Sequence, residues 1–142
     1  MPSEQAPLSL LAAVRRSLRV LNDAIEDGAE RSGLTVQQQA FLLATAARGG
    51  RKVPLSEVRA ELAMDQATAS ELLARLIRLG LVTRATASDR RAVDISISAK
   101  GRQRFGRSLE RIREALQVAE RAGDLRALRE SLAAYLDHYT GR

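Results

Sequence analysis

Apolar positions recur along this chain in two periods, and the change from one to the other outlines its architecture. Leu8, Leu11, Val14, Leu18, Leu21 and Ile25 step by three or four, which predicts a long amphipathic first helix whose end is bracketed by Gly28 and Gly33. Thr35-Val36-Gln37-Gln38 has the form of a capping box, in which hydroxyl and amide satisfy free backbone donors at the start of a second helix. That helix is expected to run through Arg48, to bury Val36, Ala40 and Leu43, with Phe41 as a further candidate, and to stop at Gly49-Gly50. Arg51-Lys52-Val53-Pro54 is an extended link able to form a short edge strand. Leu55, Val58 and Leu62 then mark a third helix. Asp65 reads as the N-cap of a fourth, since its carboxylate can accept from backbone donors of the next turn. Ala69, Leu72, Leu73 and Leu76 form the apolar stripe of that helix, and Gln66, Thr68, Ser70, Glu71, Arg75 and Arg78 lie mostly away from it.

At Gly80-Leu81 the period shortens. Glycine there fits a left-handed helix end, and Leu81 to Ala87 and Ala92 to Ser98 read as paired strands with Val93, Ile95 and Ile97 on one face. Ser98 caps the next helix. Phe105, Leu109, Ile112, Leu116 and Ala119 form one further helical seam, and Leu125, Leu128, Leu132, Tyr135 and Tyr139 another, separated by Gly123-Asp124. Two helices, a hairpin and flanking helical seams describe a mainly α protein with a small β-wing: a winged helix-turn-helix over 35–99 within a single domain, 1–142. The flanking helices, 5–32 and 100–140, exceed what a winged domain needs for itself. Dimerisation is their natural use, and a helical subdomain folded back on its own monomer is the alternative.

Composition narrows the partners. A chain of 142 residues with 45% hydrophobic and 28% charged residues is long enough to bury a core as one domain, and with 3% aromatics that core is mostly Leu, Ala, Val and Ile. The net charge of +6 points to an acidic partner, nucleic acid first. Of 23 basic residues only Lys52 and Lys100 are lysines; codon composition accounts for that bias as well as function does. The absence of Cys removes disulfides, thiolate metal sites and thiol redox sensing, and with His138 as the single histidine no metal or other cofactor is expected. The apolar run from Leu8 to Val14 is short, contains Ser9 and meets Arg15-Arg16, so neither a signal peptide nor a membrane span is expected, and the cytoplasm is the expected compartment.

The segment from Ser56 to Arg78 has helix-turn-helix spacing, with a tight turn at Ala63-Met64-Asp65. Short residues in the first turn of a recognition helix let its N-terminus approach base edges and phosphates; Gln66, Ala67, Thr68 and Ser70 suit that, and Arg75 lies further along for a phosphate or a guanine. Glu71 is repelled by phosphates, yet a carboxylate can accept from a cytosine amino group; a surface pair with Arg75 is the favoured role. At the hairpin tip Arg91 is the candidate for insertion into a minor groove, Asp89 is placed to orient it, and Arg90 serves a phosphate. No catalytic constellation appears, so an enzyme is not expected.

These residues resemble the MarR family of bacterial transcriptional regulators. Asp89-Arg90-Arg91 through Ile97-Ser98-Ala99-Lys100-Gly101 is similar to the family's wing signature of Asp-x-Arg followed by Leu-Thr-x-x-Gly, and Leu72 to Arg84 resembles its recognition-helix exit and first wing strand. Ile97-Ser98 stands in place of Leu-Thr, Ala63-Met64-Asp65 in place of a common Gly-Leu-Ser turn, and Glu71 where a basic or polar residue is frequent. The resemblance implies a homodimer, usually a repressor, that binds a pseudo-palindromic double-stranded operator and in many members releases it when a small aromatic or phenolic effector binds. It also implies that Arg91 is the wing-tip arginine, Asp89 its partner, and the positions from Gln66 to Arg75 the major-groove face. Of the few aromatics able to stack on an effector, Phe41, Phe105, Tyr135 and Tyr139 all sit on helix seams, where core packing explains them better. The alternatives are a winged-helix protein-interaction module, such as an anti-regulator, and a non-specific architectural DNA binder.

Overall fold

The computed structural model describes residues 5–85, 92–123, 125–130 and 133, with side chains described from Leu8 onward. Eight elements follow one another: α1 (Gln5–Arg31), α2 (Val36–Ala47), β1 (Val53–Pro54), α3 (Leu55–Leu62), α4 (Gln66–Arg78), β2 (Val82–Ala85), β3 (Asp94–Ile97) and α5 (Ala99–Arg121). Residues 125–130 are also helical. The strands form an antiparallel sheet in the order β1-β3-β2, so the link before α3 is an edge strand as its sequence predicts.

Local chemistry accounts for most of the boundaries. Thr35 and Gln38 complete the capping box of α2, each side chain bonding the other's backbone amide. Gly49 and Gly50 both have positive φ and end that helix. Ser98 caps α5, its hydroxyl accepting from the Gly101 amide at 3.0 Å. The wing strands are shorter than the alternation implies at their inner ends, because Leu81 and Ser98 serve the helices. Leu81 donates to the Leu76 carbonyl at the end of α4, and Ser98 donates to the Leu81 carbonyl while capping α5.

Phe41, Leu42, Val53, Val58, Leu73, Leu76, Leu81, Val82 and Ile95 are wholly buried and join α2, α3, α4 and the sheet in one core, with Phe105 tying α5 to it. Each such Leu or Ile contributes roughly 1.5–3 kcal/mol by leaving water.

Three expectations change. In α2 the buried face is Gln38, Phe41, Leu42 and Thr45, whereas Val36 and Leu43 are exposed and Ala40 is half-buried. The run from Ala40 to Ala47 is apolar nearly all round, so its period sets no phase. Phe41 and Leu42 win as the bulkiest neighbours, and Thr45 is buried without penalty because its hydroxyl donates to the Phe41 carbonyl at 2.7 Å.

Gly28 does not end α1. It lies inside the helix, buried where a Cβ would collide with the Ser108 carbonyl of α5, and Gly33 alone supplies the left-handed residue after the helix.

The third change concerns the seams. α1 and α5 run along each other through small residues, Ser17, Ala24 and Gly28 on one and Ser108, Ala115 and Ala119 on the other being buried. Leu8, Leu11 and Leu18, and Leu116 of the expected seam of α5, are exposed. Small side chains allow the close approach, and the buried hydroxyls of Ser17 and Ser108 donate to carbonyls of their own helices. Leu125 and Leu128 are half-buried; Leu132, Tyr135, His138 and Tyr139 lie outside the described residues.

Candidate nucleic-acid interface

The recognition helix is fixed at both ends before any partner arrives. At its N-terminus Ala63 takes the left-handed conformation, φ 50°, and the Met64 amide reaches back to the Arg59 carbonyl, closing α3. The Arg59 Nε donates to the Met64 carbonyl at 3.0 Å and braces the same turn. Asp65 follows as N-cap of α4, its carboxylate accepting from the Thr68 amide at 2.7 Å. That backbone bond, reinforced by the Thr68 hydroxyl, holds the Asp65 carboxyl below the usual carboxylate range, so the cap is ionised at neutral pH.

At the other end Gly80, φ 73°, and Leu81 close α4 through bonds to the Ile77 and Leu76 carbonyls. Two remaining carbonyls are met from α5: Lys100 Nζ donates to Leu79 at 3.0 Å, and the Ser98 hydroxyl donates to Gly80. The ammonium also lies at the negative end of the α4 dipole. Gly101 completes this joint, because a Cβ there would strike the Leu81 carbonyl and crowd Ile97.

The hairpin is in register through Val82↔Ile97, Thr83↔Ser96, Arg84↔Ile95 and Ala85↔Asp94. Its inward residues Val82, Ile95 and Ile97 are buried and Val93 is half-buried, which seats this face of the hairpin on the core. The Leu55 amide bonds the Val93 carbonyl at 2.9 Å, so α3 starts from the strand that leads out of the wing. Asp89, Arg90 and Arg91 lie outside the described residues.

Of the residues expected on the recognition face, Gln66, Ala67, Ser70, Glu71 and Arg75 are exposed on α4 opposite its buried stripe of Ala69, Leu72, Leu73 and Leu76. Thr68 is half-buried and its amide is spent on Asp65. The expected Glu71–Arg75 surface pair does not form; neither side chain makes an ion pair or hydrogen bond among the described residues. An exposed i,i+4 pair is worth only about 0.2–0.5 kcal/mol, so little is lost where it does not form. Gln66 and Ser70 share a surface groove with Ser56, Arg59 and the wing root at Ala92 and Val93.

Three basic residues that periodicity did not single out prove to position this face. Arg59 and Lys100 act as described. Arg48, at the end of α2, bonds Glu61 at 2.6 Å and lies 3.3 Å from Glu57, and so ties α2 to α3 by pairing with two acids of that helix. Only Lys100 carried a sequence signal, through its place in the wing signature; Arg48 meets partners 9 and 13 residues away, across a turn of the chain.

No helix among the described residues is long and apolar enough to cross a membrane, and none of their acidic or His side chains cluster as a metal site.

Residues 32–92, which span α2, the helix-turn-helix and the first wing strand, match the model of the MarR family. No curated protein sequence matches the chain. Among solved structures, the MarR family transcription regulator SP03579 superposes with a TM-score of 0.75 at 22% identity, over 96% of this chain and 92% of that one. The multiple antibiotic-resistance repressor (MarR) from Listeria monocytogenes gives 0.66 at 19% identity, over 96% and 98%. The M. tuberculosis transcriptional regulator MOSR, solved in complex with DNA, gives 0.61 at 25% identity, over 92% and 96%. The likeness therefore runs through the flanking helices as well as the winged unit. Residues 32–92 of this chain thus match the MarR family model, and the chain has the winged-helix fold of the MarR-family structures it superposes on.

Proposed function

We propose that the protein is a sequence-specific DNA-binding transcriptional regulator, a homodimeric repressor that sets α4 into the major groove of each half of a pseudo-palindromic operator. The observation that carries this reading is the exposed face of α4, bearing Gln66, Ala67, Ser70, Glu71 and Arg75, on a helix braced at both ends beside a wing. Asp89, Arg90 and Arg91 complete the interface in this reading, with Arg91 in the adjacent minor groove. The family match and the DNA complex of MOSR support it. The second copy of the chain covers the exposed leucines of α1, whose neighbours Arg15, Arg16 and Arg19 line the same surface. Release by a small aromatic or phenolic ligand belongs to the proposal on family grounds alone, since Phe41 and Phe105 are buried in the core and offer no free ring. DNA as partner places the action in the cytoplasm.

The test is a fluorescence-anisotropy titration against the DNA upstream of the protein's own gene, with a random duplex of equal length alongside. A preference of about a thousandfold at physiological salt is expected, with an affinity that falls steeply as salt rises. Equal affinity for both duplexes would assign an architectural role, and no complex with either would turn attention to a protein partner.

A further inference from the structure

We infer that Glu71 reads a cytosine in each half of the operator, its carboxylate accepting a hydrogen bond from the base's N4 amino group. This rests on the proposed seating of α4 in the major groove, and it concerns which base pair that helix selects. Four observations lead to it. Glu71 is exposed and sits opposite the stripe that packs on the core, so it is directed outward from the body of the protein. It has no ion-pair or hydrogen-bond partner among the described residues, and Arg75, one turn on, leaves it alone. Its neighbours on the outward stripe, four residues before and three after, are Ala67 and Ala74, both exposed. Finally, both Glu57 and Glu61 of α3 pair with Arg48, whereas no such cation is set against Glu71 among the described residues.

The two alanines decide how near the helix comes. With only methyl groups on either side, the backbone can approach the base edges closely, and the two-carbon arm of Glu71 becomes the longest group on that stripe between Ala67 and Ala74. A carboxylate placed there is an acceptor without a donor of its own. In the major groove guanine and thymine present acceptors at that depth, and adenine sets an acceptor N7 beside its amino group. Cytosine presents an amino donor alone. An unmet carboxylate shut away from water is costly, so the wrong base is rejected by the group left unpaired as much as the right one is favoured. The phosphates lie on the flanks of the groove, where Arg75, which has no partner among the described residues, is available to them.

The experiment is a binding selection from a randomised duplex library, run in parallel with the wild-type protein, Glu71→Gln and Glu71→Ala, followed by anisotropy on the selected duplex. The expected wild-type motif is symmetric and holds one invariant C·G pair per half-site. Glu71→Ala should lose preference at that pair only, and Glu71→Gln should move it towards A·T, because a carboxamide pairs with adenine N6 and N7. Changing that pair in both half-sites should weaken wild-type binding by about tenfold or more and leave Glu71→Ala nearly indifferent. Variants that select the wild-type motif unaltered would overturn the assignment. So would variants that bind every duplex more tightly by one common factor, since Glu71 would then be a charge and nothing more. A wild-type protein that enriches no motif would instead remove the sequence-specific DNA-binding reading on which the assignment rests. Circular dichroism checks that the variants are folded, as expected for changes at an exposed site.

Discussion

Ala63 holds a backbone conformation, φ 50°, in which a Cβ crowds the following carbonyl, and it does so at the hinge of the helix-turn-helix. The turn survives because Arg59 donates to the Met64 carbonyl and Asp65 caps the next helix immediately afterwards. Replacing Ala63 by glycine removes the crowding and should stabilise the protein by about 0.5–1 kcal/mol after the extra flexibility of the unfolded chain is counted. A urea titration measures this directly, and a lower midpoint for Ala63→Gly would show that the turn is not strained. The departure from a Gly-Leu-Ser turn was visible in the sequence. Its compensation was not, because Arg59 reads there as one more exposed arginine.

Elements meet in this protein where a side chain is missing. α5 begins directly on the end of α4, and the contact is possible because residue 101 is glycine; its Cβ would meet the Leu81 carbonyl and Ile97 at the root of the wing. Backbone cannot yield as a flexible side chain does. Gly101→Ala should therefore destabilise by about 1–3 kcal/mol, seen as a lower urea midpoint with an unchanged slope. Because Lys100 and Ser98 hold the end of the recognition helix from the same joint, DNA affinity should fall with it. An alanine variant as stable as the wild type would mean that α5 can slide without cost. The glycine of the wing signature is thus explained by packing, and the same reasoning relocates Gly28 from a helix end to a helix crossing.

At the scale of the molecule, α1 packs small residues on α5, half-buries Val14, Leu21 and Ile25, and leaves other leucines outside. Leu8 is 65%, Leu11 57% and Leu18 48% exposed, and Val118 of α5 is 60% exposed. Isolated apolar residues on a surface mean little, but several along one long helix mark a surface that is covered in use. The proposed homodimer predicts a mass of twice the chain by light scattering. Leu11→Glu combined with Leu18→Glu should give a folded monomer with sharply reduced affinity for a palindromic duplex. A wild-type protein that is monomeric at micromolar concentration would exclude this interface.

The sequence by itself determined the element order, the caps at Thr35, Asp65 and Ser98, the glycine stop at Gly80, the edge strand at Val53-Pro54 and the outward face of α4. These are local matters, settled by hydrogen bonds across three or four residues and by period. The tertiary structure alone decided which face of α2 is buried, that α1 and α5 join through small residues, and that Arg48, Arg59 and Lys100 position the recognition helix. It also decided that Glu71 and Arg75 stay apart. Each of those depends on how elements distant in the chain crowd or reach one another in space. A hydrophobic period cannot encode that where the helix is apolar all round, or where a Cβ is the thing that must be absent.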